Sequence, residues 1–316
     1  MPEPDWPSSS EVHVPVRERL ERLLAATGGL VADIGRLTLA TKEGPLSERP
    51  HSLTTVLVAG ACISAGGDWR AAVWPAAGAE CMMAAADLFD DAADADPVVE
   101  GAQHSPGVLL TAAAGMLSLA SAAVVRATED GVPPMRASAL ARLLGEGFAD
   151  AANGQALNLE PGSRQVDPLT AYRQAAAKSG PLGSLIARLG ARAATDDADV
   201  VALLGELGRR LAVRSQLLND MRDAAPDPRE LKADVRAGAR TVPLAFVGST
   251  GAPPGLSEDE LTIWEQQELA RVAAGGGLVA AQALAEADRL GAIHVLDELE
   301  RRGCAVDGLR QLVYLR

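Results

Sequence analysis

Apolar residues recur along this chain at intervals of three and four, and no segment alternates convincingly as a half-buried strand does. Val16, Leu20, Leu23 and Leu24 set the pattern with charges between them, a spacing that gathers them on one helical face. A Gly- and Pro-containing break at 43–50 leads into an apolar segment over 51–65, and a helix is expected from the Gly66-Gly67-Asp68 turn to about residue 94, with Pro97 as its stop. Further helices are expected over about 106–127, 135–157, 168–190, 197–225, 240–248, 258–273, 276–290 and 291–302, with loops at 158–167 and 226–233. Hydrophobic residues make up 48% of the 316 positions and aromatics only 3%, so the core must be built mainly from Ala, Leu and Val. Ala and Leu favour helices, whereas strands draw on β-branched and aromatic residues. The fold class read from these residues is all-α: a single large bundle of ten or more helices. Residues 1–13, rich in Pro, Ser and Glu, read as a disordered N-terminus, and 14–316 as one helical domain.

A formal charge of −13 argues against nucleic acid as a general partner, because phosphate backbones need a basic face. It permits an anionic small substrate, since a metal ion can sit between two sets of negative groups. Residues 107–125 carry no charge and reach the length of a membrane span. They are diluted by Ala, Gly, Ser and Thr and lack aromatic belts, so a buried core helix is expected and no membrane span. Cys62, Cys81 and Cys304 are far apart and have no metal-site spacing, which suits a reducing cytoplasm. The opening MPEPDWPSSS has no basic region followed by an apolar run, so no signal peptide is expected.

Two acidic clusters carry the chemistry. The first is ECMMAAADLFDDAADAD at 80–96, where Asp90, Asp91 and Asp94 form a DDxxD. Asp90 and Asp94 are one helical turn apart and share a face, where hard carboxylate oxygens suit Mg²⁺. In a chain with 42 acidic residues this motif alone is weak. The second is QLLNDMRD at 216–223, with Asn219 and Asp223 again four apart and Asp220 beside Asn219. Two such clusters on facing helices would hold several divalent ions, and those ions would bridge a diphosphate.

With further motifs in order, the chain resembles the trans-isoprenyl diphosphate synthase, or polyprenyl synthetase, family over roughly residues 44–245. Glu80 stands ten residues before the first aspartate pair. Asn153-Gly154-Gln155 in NGQALNLE is similar to the family's GQ-x-x-D-L, with Asn158 in place of Asp. YRQAAAKS from Tyr172 to Ser179 is similar to Y-x(5)-K-T, and 216–223 to the second aspartate-rich motif with Asn219 leading. LKADVRAGARTVPLA resembles the K…D-x-R-x-G-K-x-T-x-P tail; Lys232, Asp234, Arg236, Thr241 and Pro243 match, and Ala239 replaces a lysine. The resemblance implies an isoprenoid synthase bundle with a central active-site cavity. It implies Asp90, Asp91, Asp94, Asn219, Asp220 and Asp223 as ligands of three Mg²⁺ ions with diphosphate bound. Lys178 and Lys232 would neutralise the diphosphate, and Gln155 and Gln216 would lie near the reacting chain. A homodimer is the expected assembly.

The departures fall on the second substrate. Where the family has G-G-K-R-x-R-P this chain has GPLSERP at 44–50, so Leu46 and Ser47 replace cations and only Arg49 survives. Met83 stands for a histidine, and Val99-Glu100-Gly101 for Arg-Arg-Gly. Each lost charge-assisted contact would weaken isopentenyl diphosphate by about 1.5–3 kcal/mol. The leading expectation is therefore a terpene synthase-like enzyme that ionises one allylic prenyl diphosphate and closes or quenches the cation itself. The alternatives are elongation with isopentenyl diphosphate, transfer to another acceptor such as an indole, and a non-catalytic partner subunit. NDMRDAAPD also resembles the terpene-synthase N-D-x-x-S/T-x-x-x-E, but Pro226 interrupts the helix before Asp227. Asp87, one turn before Asp90 and Asp91, reads as an extra metal or proton ligand or as a solvated or paired carboxylate. Small Ala85 and Ala86 at that turn point to a substrate of fifteen carbons or longer, because the family uses bulky residues there to stop short chains.

Overall fold

The structure, a computed structural model, describes residues 6–40, 52–93, 98–99, 102–159, 166–225 and 233–314. In chain order its helices are α1 (Ser9–Thr27), α2 (Gly29–Ala40), α3 (Leu53–Ser64), α4 (Val73–Ala93), α5 (Pro106–Val125), α6 (Pro134–Leu159), α7 (Pro168–Ala194), α8 (Ala198–Asp223), α9 (Ala233–Ala237), α10 (Val242–Phe246), α11 (Glu258–Ala274), α12 (Gly277–Arg301) and α13 (Asp307–Tyr314). Turns of 3-10 helix precede α4 and follow α5. After α4, Val98–Val99 and Ala102–Gln103 pair as a two-residue antiparallel ladder, the only strand pairing among the described residues. The all-α expectation holds.

Contacts divide the chain into two compact units, where the sequence reads one domain over 14–316. The first takes Met1–Ala149, Ser184–Gly208 and His294–Arg316; the second takes Asp150–Gly183 and Arg209–Ile293. In the first unit α1 buries Val12, Val16, Leu20, Leu23 and Leu24, a stripe at helical spacing. Glycines let backbones close. A Cβ on Gly78 of α4 would stand 2.8 Å from Val124 on α5, and one on Gly190 of α7 would stand 2.0 Å from the Val58 carbonyl of α3. In α5, Leu109, Ala112, Ala113, Met116, Ala120, Ala123 and Val124 form one buried face, as a core helix requires. The run Pro106–Asp130 is also the one described helix long and apolar enough to cross a membrane. The second unit centres on Ala171, Val213, Leu217, Val242, Ala281 and Ala285, with a smaller cluster of Ala224, Val235, Leu244, Leu269 and Val272.

Two expectations need correction. The chain is helical from Ser9, inside the stretch read as disordered. Ser8 and Glu11 close a capping box, with the Ser8 N–H donating to Glu11 at 2.8 Å, and Val12 starts the buried stripe. Composition hid this local signal. The pair 276–290 and 291–302 is the single helix α12, because Gly291 is a contact point rather than a break. A Cβ there would press within 3.1 Å of the Arg210 guanidinium. Near the end of the described residues, α13 buries Leu309 and Val313 and belongs to the first unit.

Candidate active site

In the first unit α4 presents the first acidic motif. Glu80, Cys81, Met82, Ala84, Ala85 and Leu88 are buried, leaving Met83, Ala86, Asp87, Asp90 and Asp91 as a half-buried stripe one turn apart. The Phe89 ring meets Phe148 of α6 at 6.2 Å between centroids and 45° between planes, which steadies the helix beside the carboxylates. Ten residues upstream of Asp90, Glu80 is only 3% exposed. A buried carboxylate needs donors, and two hydroxyls supply them. Thr55 Oγ1 donates to Glu80 Oε1 at 2.7 Å, and Ser52 Oγ donates to the same oxygen. Ser52 is the N-cap of α3, and its N–H donates to Nε2 of buried His13.

In the second unit, segments far apart in sequence meet. Asp220, 5% exposed near the end of α8, accepts a hydrogen bond from Gln216 Nε2 at 2.8 Å. Gln216 Oε1 in turn accepts from Ser179 Oγ at 3.0 Å. Ser179 follows half-buried Lys178 on α7, so an amide bridge ties the lysine segment to the second acidic motif. The NGQ segment arrives on α6: a Cβ on Gly154 would lie 1.9 Å from the Ala177 carbonyl oxygen and 2.9 Å from the Lys178 nitrogen. Only glycine allows this approach. At the start of α7, Tyr172 OH donates to Asp288 Oδ2 at 3.0 Å, and Arg210 Nη1 donates to Asp288 Oδ1 at 3.0 Å. Burial first, then the Asp288 charge, raises the Tyr172 pKa. Asn219 and Asp223 are exposed on α8, where Asn219 Oδ1 accepts from Arg222.

No family model matches the sequence, and no curated protein matches it either. Solved structures do match. A geranylgeranyl pyrophosphate synthetase from Pyrococcus horikoshii Ot3 superposes with a TM-score of 0.77 at 18% identity, covering 97% of this chain and 99% of that one. A geranylgeranyl pyrophosphate synthase gives 0.81 at 18% identity, covering 97% and 96%. A polyprenyl synthetase from Streptomyces coelicolor A3(2) gives 0.76 at 16% identity, covering 96% of each. The chain has the isoprenoid synthase fold.

Within this isoprenoid synthase fold, Gln155, Lys178, Gln216 and Asp220 are brought into one unit, and Asp90 and Asp91 onto one face of α4. Asp94, Arg49, Lys232 and Asp227 lie outside the described residues, as do Glu100 and residues 44–50. Among the described residues no three His, Cys, Asp or Glu side chains cluster closely enough to hold a metal ion. Each motif contributes two described carboxylates: Asp94 falls outside, and Asn219 stands where an aspartate would. The donors are hard oxygens, which fit Mg²⁺ and not a thiolate metal. Sequence reasoning missed Ser179 as the partner of Gln216, and Ser52, Thr55 and His13 as the setting of Glu80. The available signal was Glu80 itself, a carboxylate inside an apolar helix, which obliges the fold to bring donors to it.

Proposed function

We propose that this chain is a Mg²⁺-dependent enzyme that ionises an allylic prenyl diphosphate. The observation that carries the reading is the meeting of three separated motifs in one unit. Gly154-Gln155 closes on Ala177-Lys178, and Ser179 reaches Asp220 through Gln216. The likeness in fold to structures described as geranylgeranyl and polyprenyl synthetases supports it.

Asp90, Asp91, Asp94, Asn219, Asp220 and Asp223 would hold the metal. The chemistry supplied by bound Mg²⁺ is charge neutralisation of the departing diphosphate. Lys178 and Lys232 donate to diphosphate oxygens, with Arg49 the surviving cation of the 44–50 segment. Gln216 fixes the Asp220 carboxylate so that little reorganisation accompanies charge development.

The same likeness supports a prenyltransferase, in which the allylic cation passes to isopentenyl diphosphate and the chain grows. A second reading, in which the cation is closed, quenched or given to another acceptor such as an indole, rests on the acceptor side. Leu46, Ser47, Met83 and Val99-Glu100 stand where cations or a histidine belong, and the Glu80 carboxylate is taken by two hydroxyls. Half-buried Ala86, one turn before Asp90, supports a substrate of fifteen carbons or longer.

A homodimer is supported by the outer face of α5, where Leu110, Thr111, Ala114, Ser118, Ser121, Ala122 and Val125 are exposed and uncharged. Thr111, Ser118 and Ser121 donate to carbonyls of their own helix at 2.7, 2.9 and 3.2 Å, so the face can be covered without stranding donors. Free Cys62 and Cys81, both pushed up to about 12 by burial, suit a reducing cytoplasm.

The deciding experiment supplies ten-, fifteen- and twenty-carbon allylic diphosphates with Mg²⁺, with and without isopentenyl diphosphate. Longer diphosphates formed only with both substrates establish elongation. Hydrocarbon or alcohol from one substrate establishes self-quenching. Absence of diphosphate release, even with indoles present, overturns the enzyme and leaves a partner subunit. Asp90→Asn removes most turnover if the metal role is correct.

A further inference from the structure

A cleft of about 520 Å³ opens in the first unit, among residues that belong to none of these motifs. Its lining includes Arg142 of α6, Ser184, Arg188 and Arg192 of α7, and Ala198 and Glu206 of α8. Ser184, Arg188 and Arg192 follow one another at four-residue steps, so a hydroxyl and two guanidiniums form one stripe of α7. The facing part of α8 is small. Ala198 and Ala202 line the cleft, and Gly205 brings the backbone against the arginine stem: a Cβ there would lie 2.8 Å from Arg188 Cγ and 3.0 Å from Ser184 Oγ. Arg142 pairs with exposed Glu146 at 3.2 Å, and Arg192 with exposed Asp196 at 2.9 Å. Arg188 has no hydrogen-bond or ion-pair partner among the described residues. In a chain with 42 acidic and 29 basic residues, three guanidiniums lining one cleft give it a local positive field that favours an anion.

We propose that this cleft binds a small anion of the diphosphate class without a metal ion. Its volume falls in the range of about 300–1,000 Å³ typical of small-molecule sites. Arg188 and Arg192 are offset by one turn, about 6 Å along the helix, which suits an anion with two linked charged centres. Each guanidinium offers a planar fork for phosphate oxygens, and Ser184 adds a hydroxyl at one end. Glu206 and Asp196 also line the cleft and oppose the ligand, which sets a sign that binding must obey.

The test titrates inorganic diphosphate into the full chain with excess EDTA, followed by calorimetry, so that the aspartate motifs have no metal with which to contribute. Saturable binding is expected, weakened roughly tenfold or more by Arg188→Gln. Glu206→Gln is expected to tighten it severalfold, a gain that misfolding cannot produce. The proposal is overturned if the full chain shows no saturable binding in EDTA, if Arg188→Gln binds like the parent, or if Glu206→Gln fails to tighten.

Discussion

Gly154 on α6 lies so close to the carbonyl oxygen of Ala177 on α7 that a Cβ there would sit 1.9 Å away. Four residues later Pro181 has no N–H to give that carbonyl, so the ordinary helical donor is missing where α6 arrives. Gly154→Ala must push the backbones apart and separate Gln155 from Lys178. Expected results are a stability loss of about 1–3 kcal/mol in denaturant titration and turnover reduced at least tenfold. Parent-like turnover would remove the link between this contact and the site.

Asp288, 1% exposed, joins Tyr172 of α7 to Arg210 of α8. Because the folded pKa of the phenol is raised, its contribution to stability is whole below the unfolded value of about 10. It is lost as pH climbs through the folded value. Stability should therefore fall above pH ~10 more steeply in the parent than in Tyr172→Phe, which itself costs about 1 kcal/mol at neutral pH. Asp288→Ala should cost about 1–3 kcal/mol by removing the acceptor shared by Tyr172 and Arg210. Equal alkaline slopes in parent and Tyr172→Phe would contradict the assignment.

Ala85 and Ala86 are neighbours in sequence and differ in the fold. Ala85 is fully buried, whereas Ala86 shares the half-buried stripe of Asp90. Ala86→Phe should shift preference toward shorter allylic diphosphates with the fold intact. Ala85→Phe should instead destabilise by about 1–3 kcal/mol through overpacking. Product analysis and melting curves on the two variants separate these effects.

Ser118 lies on the uncharged outer face of α5. A buried, unpaired guanidinium is strongly unfavourable at an interface. Ser118→Arg is therefore expected to halve the mass seen by sedimentation, while a monomeric parent would rule out a homodimer through α5.

Much of the architecture could be read from residue order. The helix period of α1, the apolar run of α5 and the proline and glycine punctuation before α4 and α6 are local features. So are the DDxxD at Asp90 and the Asn219–Asp223 pair, because a four-residue step places side chains on one face whatever surrounds them. The misses followed the same logic in reverse. The capping box at Ser8 lies inside a Pro- and Ser-rich stretch whose composition favours disorder, and a glycine such as Gly291 inside a helix costs about 1 kcal/mol, which favours a boundary there.

Neither local pattern nor composition says that Ser179 will hold Gln216, that Thr55 and Ser52 will donate to the buried carboxylate of Glu80, or that Arg188 will have no partner among the described residues beside two paired arginines. Those outcomes join residues up to 37 positions apart at Ser179 and Gln216, and 28 apart at Ser52 and Glu80. They depend on how closely helices approach, which glycines such as Gly154 and Gly205 set. Period and capping write the helices one turn at a time. Which polar groups find partners is settled when the helices pack, because a buried donor or acceptor must be satisfied by whatever the neighbouring backbone brings within reach.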